Sequence, residues 1–135
     1  MIRASILLVI AATVPAPATA QVSMTGRSDS YRWCMEHGDA ARGNTTAIDL
    51  CVASELILQD DRLDRAYRRA GAHLGWPTKL RLVTAQRRWV VDSNDRCAKA
   101  AGLDPRAGLT GAIYNDCILD ETIARADRLE HYTPE

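Results

Sequence analysis

Phenylalanine is missing from this chain, so aromatic packing has to come from three Trp and four Tyr. Net charge is missing too, because 17 Lys and Arg stand against 17 Asp and Glu. Nucleic-acid binding draws its affinity from clustered basic charge. The fifteen arginines read as interleaved with acids, which sets a nucleic-acid partner aside. There is no CxxC, so thioredoxin-type redox chemistry and c-type haem attachment both lack their motif. The three histidines, His37, His73 and His131, fall in distant segments with no nucleophile motif beside them, which argues against an enzyme. No apolar run approaches the ~20 residues that a membrane-crossing helix requires.

The longest apolar run, residues 6–14, follows Arg3 and is closed by Pro15 and Pro17 before the small residues Ala18-Thr19-Ala20. That order reads as a signal peptide over 1–20, cleaved near Ala20. Removing it takes away one arginine and no acid and leaves a net charge of −1. Gln21, not Cys, follows the cut, so no lipid anchor is encoded. The expected location is periplasmic or secreted, with no membrane anchor. Export changes the meaning of Cys34, Cys51, Cys97 and Cys117. In an oxidising compartment an even count in a small domain reads as a disulfide framework, with three connectivities open to four cysteines. A metal site is disfavoured. Cys34 and His37 form one ligand-like pair, but Cys51, Cys97 and Cys117 have no His or Cys within four residues. No metal and no cofactor is expected.

Residues 21–30 are polar and carry Gly and Ser, which suits a flexible leader, and order is expected from Tyr31. Asn44-Thr45-Thr46 reads as a helix start, with Thr46 as N-cap and Asp49 as the acidic half of a capping box. An amphipathic stripe follows through Val52, Leu56, Gln59, Leu63, Ala66, Tyr67, Ala70 and Leu74, with Gln59 its one polar break. Gly71, Gly75 and Trp76-Pro77 are read as its stop. Thr78 is placed to cap a second helix with Leu82, Ala85, Gln86, Trp89, Ser93, Cys97 and Ala100 on one stripe, ending at Gly102. After a turn at 104–108, Thr110 is placed to cap a third helix to about Leu129. Acid and base four residues apart, such as Asp64 with Arg68 and Glu121 with Arg125, read as solvated ion pairs. The expected fold is all-α, a small three-helix array with a short N-terminal arm, stapled by two disulfides.

Cys51, Leu63-Asp64-x-x-Tyr67, Ala85-Gln86-x-x-Trp89 with Cys97 eight residues on, and Cys117-x-x-x-x-Thr122-x-x-Arg125 together resemble the lysozyme inhibitor LprI-like domain of bacterial envelope proteins. The resemblance covers roughly residues 34–130 and makes 31–135 one domain. It departs from the family pattern at Asp64, where Asn is usual, and at Ser93-Asn94, where an Arg-Asp pair is usual. A pairing of Asp64 with Arg125 across helices is the expected substitute. By resemblance, Leu63, Tyr67, Gln86, Trp89, Thr122 and Arg125 form the structural motif, and Trp89 and Tyr67 are expected in the core. The implied function is binding to and blocking a peptidoglycan-cleaving enzyme. The alternative is a non-catalytic periplasmic interaction or envelope-stress module with another protein partner. The expected cysteine pairing is the local one, Cys34 with Cys51 and Cys97 with Cys117, since each closes a short loop. Lysozyme works through two carboxylates facing each other in a cleft, so a plug would present a cation or a hydroxyl from a turn. The candidates are His73 and Trp76 in one turn and Arg106 in the other.

Overall fold

A computed structural model describes residues 25–102 and 111–134. Among these residues there are five helices and no strand: α1 Asp29–Glu36, α2 Gly38–Ala41, α3 Thr45–Gly71, α4 Trp76–Ala100 and α5 Ala112–Glu130. The three long helices are the expected array, and the arm before them is itself helical.

Local chemistry places the helix ends, in two cases one element away from the expected residue. Asn44 rather than Thr46 caps α3, its extended backbone letting Oδ1 accept from the Ala47 amide at 3.0 Å. Asn is among the best residues at this position because its short side chain reaches the third free amide. Gly71 is the last residue of α3, as expected. Trp76-Pro77 opens α4 rather than stopping α3. A proline fits the first helical turn, whose amides have no intrahelical acceptor to lose. Gly75 is the N-cap, so the Thr78 hydroxyl is left to accept from Arg81 at 2.9 Å. Gly102, with φ +65°, ends the α4 turn as expected. The Thr110 cap and the 104–108 turn lie outside the described residues; α5 starts after Gly111.

α5 is the central element. Its Leu119 and Ile123 meet Tyr31, Cys51 and Val52, and one turn further on its Ala126 and Leu129 meet Leu63, Ala66 and Leu82. Contacts advance in the same direction along both chains, so α3 and α5 run parallel. On the other side Tyr114 packs against Cys97 and Ala98, which sets α4 antiparallel to α5. Ala66 and Ala126 are fully buried; residues this small let two helix backbones approach closely. The stripes read from spacing are rotated slightly. On α3, Cys51, Val52, Glu55, Gln59, Leu63 and Ala66 are buried, whereas Leu56, Tyr67, Ala70 and Leu74 are half-buried at its edge.

The leader expectation fails from residue 25 onward. Arg27 is buried and pairs with Asp116 and Asp120 of α5, each at 2.8 Å. Its ring neighbour is Tyr31, 5.3 Å from the guanidinium. The Ser28 amide donates to Glu55 at 2.9 Å, the Ser28 hydroxyl donates to the same carboxylate, and Gln59 donates to Glu55 at 2.8 Å and to the Gly26 carbonyl at 3.1 Å. Polar composition suggested a solvated tail; here the polar groups have protein partners instead of water. Two disulfides complete the frame. Cys34–Cys51 ties α1 to α3 and Cys97–Cys117 ties α4 to α5, with Cα separations of 5.8 and 5.5 Å.

Candidate functional site

The motif residues converge where α4 and α5 meet the middle of α3. Arg125 Nε donates to Gln86 Oε1 at 2.9 Å, and its guanidinium lies 5.9 Å from the Trp89 ring. Burial, with Arg128 nearby, lowers the Arg125 pKa from its ordinary value. Thr122 and Leu63 are buried, and Tyr67 and Trp89 pack half-buried around Leu63 and Leu82. The Trp89 indole N–H is enclosed without a well-aligned acceptor, although the Glu121 carboxylate is close enough to be stabilised by it. This cluster joins helices, with Tyr67, Gln86, Trp89 and Arg125 each only partly exposed.

The expected pairing of Asp64 with Arg125 does not form. Asp64 holds Arg68 one turn along its own helix, and Arg125 turns inward to Gln86. Glu121 likewise takes Arg96 of α4, at 2.8 Å, instead of Arg125. A helical residue facing a neighbouring helix finds its partner there, which spacing along one chain does not reveal. At the positions where the family usually has Arg-Asp, Ser93 is buried and bonded to the Val90 carbonyl at 3.2 Å, and Asn94 accepts from the Tyr114 hydroxyl of α5. A neutral hydrogen bond between α4 and α5 stands where the family usually carries the charged Arg-Asp pair.

The turn candidates are only partly brought together. His73 and Trp76 sit at the α3–α4 connection, both exposed, Trp76 at 75%. Arg106 lies outside the described residues. Beside this turn the outer side of α4 forms an open trough of about 560 Å³ whose lining includes Leu80, Arg81, Arg88 and Trp89, with Asp92 and Arg96 at its far end. Leu80 and Val91 are exposed at 50% and 60%. Spacing alone did not single out this surface, but the sequence does carry a signal for it. From Arg65 to Val91 there are seven Lys and Arg and not one Asp or Glu. The arginines are therefore not interleaved with acids throughout, as the bulk composition suggested.

Among the described residues, no group of three or more His, Cys, Asp or Glu is placed to hold a metal ion, and no helix is long and apolar enough to cross a membrane.

The model of the family described as Lysozyme inhibitor LprI matches residues 34–129. The chain belongs to the LprI lysozyme inhibitor family. No curated protein and no solved structure matches it. The family is one of inhibitors rather than catalysts, and its partner is a protein such as a lysozyme. Family and disulfides together point to a secreted or periplasmic protein. The matched span begins at Cys34 and takes in both disulfides and the three long helices up to Leu129, while the docked residues 25–33 precede it.

Proposed function

We propose that the mature chain is an exported inhibitor that binds a lysozyme and blocks its cleft without turning over substrate. The match to the inhibitor family over most of the chain carries this reading. A rigid body suits it, because a stapled domain loses little ordering entropy on binding. The plug is the α3–α4 turn, where exposed His73 and Trp76 stand among cations that complement catalytic carboxylates. Arg106 is a second candidate anchor, since a guanidinium stays charged and can bridge a carboxylate with two hydrogen bonds.

The test is clearance of peptidoglycan by chicken-type, goose-type and invertebrate-type lysozymes at rising inhibitor concentration. Inhibition of at least one is expected, and His73→Ala or Trp76→Ala should weaken it with the melting temperature nearly unchanged, since exposed residues contribute little to stability. If none is slowed by a folded protein at micromolar excess, the chain is an interaction module for another partner.

A further inference from the structure

The charge on this molecule is divided by region. The stretch from Arg65 to Val91 holds seven cations without an acid, while the whole chain is neutral, so the remainder is strongly acidic. The two regions also differ in how their charges are used. On α5, Asp116 and Asp120 are held by Arg27, Glu121 by Arg96, and Asp127 and Glu130 by Arg62. The acids of α5 are thus neutralised within the fold. On α4, Lys79, Arg81, Arg87 and Arg88 take part in no ion pair among the described residues.

The same outward face of α4 carries exposed apolar residues. At 100° per residue, Trp76, Leu80, Arg87 and Val91 fall on one stripe, on the side away from the buried Leu82 and Ser93, with Arg81 and Arg88 along its flank. Residues 76–91 make a rod about 24 Å long. Exposed Trp and Arg side by side are the residue types that dominate binding energy at protein interfaces. Desolvating three like charges, those of Arg81, Arg87 and Arg88, is unfavourable unless the partner brings carboxylates.

We infer that the outward face of α4 is the recognition surface of this inhibitor and that it selects a peptidoglycan-cleaving enzyme whose cleft rim is acidic, in preference to strongly basic lysozymes. This rests on the inhibitor reading above, extends its α3–α4 turn from Trp76 along α4, and adds the class of target. A basic enzyme is repelled by this face, and the acids of α5, already paired, offer it little in exchange.

The experiment measures inhibition constants of the mature chain against chicken-type, goose-type and invertebrate-type lysozymes chosen to range from basic to acidic net surface charge, at low and high salt. The expected result is inhibition of the acidic enzymes at least about tenfold tighter than of the basic ones, weakening as salt shortens the Debye length from about 10 Å to about 3 Å. The triple variant Arg81→Gln, Arg87→Gln, Arg88→Gln should lose about tenfold or more at low salt and most of its salt dependence. Arg42→Gln just after α2, at an exposed cation outside the face, should change neither. Circular dichroism melts confirm that both variants fold. If basic enzymes are inhibited equally well, or the triple variant inhibits like the wild type, the proposed face and target class are wrong while the inhibitor reading stands. If no enzyme is inhibited, both fall. If anionic phospholipid vesicles displace the protein from the acidic enzyme and bind it tighter, the face belongs to a lipid surface and the proposal is overturned.

Discussion

Glu55 is the most deeply placed carboxylate described, at 1% exposure. Burial pushes its pKa up, but bonds from the Ser28 hydroxyl, Gln59 and the Ser28 amide outweigh that and hold it below the usual carboxylate range. A folded-state value below the unfolded one contributes stability that is fully present above about pH 4.3 and is lost as pH falls through the folded value. Glu121, held by Arg96, and Glu130, held by Arg62, are lowered too and act with the same sign. The melting temperature should therefore hold from neutral pH down to about pH 5 and drop below that. Glu55→Gln, which leaves the Ser28 donors facing an amide, should cost about 1–3 kcal/mol at neutral pH and flatten the acid limb. Thermal melts of both proteins between neutral and acid pH decide it, and identical curves would refute the role given to Glu55. Trp89 offers a second residue-scale check. Truncating a fully buried Trp costs ~3–5 kcal/mol; because Trp89 is half-buried, Trp89→Ala should cost about 2–3 kcal/mol by denaturant titration. Gln59 was legible as the polar break in an apolar stripe, but its partners, Glu55 and the Gly26 carbonyl, were not, because one of them lies 33 residues away.

Between elements, the arm and the disulfides carry the decisive contacts. Gly26 has φ +78°, and a Cβ built on it would stand 2.6 Å from Ile123 Cγ2 of α5. Gly26→Ala therefore combines a strained backbone with a steric clash, and it should destabilise the domain by about 1–3 kcal/mol while loosening the arm. Faster hydrogen exchange at the amides of residues 26–31 would register the loosening; unchanged protection would count against a docked arm. The bridges close loops of 17 and 20 residues in sequence separation. In the chain-entropy model each is worth about 3 kcal/mol. Cys97→Ala with Cys117→Ala should remove roughly that amount, and non-reducing peptide maps should recover only the two local pairs from the wild type. The long helices were readable because their apolar periodicity is set by one face meeting one core. Their caps were less so. Asn44, Thr45 and Thr46 are all chemically able to cap α3, and which one does depends on where the chain leaves extended backbone.

For the whole molecule, export is the remaining expectation open to direct measurement. Residues 1–20 lie outside the described structure, and the expectation rests on Arg3, the apolar run over 6–14 and Ala18-Thr19-Ala20. Intact-mass analysis of the envelope fraction should find a chain beginning at Gln21 with no acyl mass. An uncleaved or acylated chain would refute it. Export and the inhibitor reading support each other, since a peptidoglycan-cleaving target and two structural disulfides both belong outside the cytoplasm.

Periodicity determined an all-helical domain and the cysteine count a framework of two disulfides, and the motifs already resembled the lysozyme inhibitor LprI family, because each of these depends on residues near one another along the chain. The acid-free stretch from Arg65 to Val91 was in the sequence as well, hidden by a neutral total. Only the tertiary structure decided that Arg27 and Ser28 dock instead of trailing into solvent, that Arg125 meets Gln86 rather than Asp64, and that Glu121 meets Arg96. Each of these joins side chains from different elements. The energy of burying a charged or polar group depends on what a neighbouring element places opposite it, and that is settled when the helices pack.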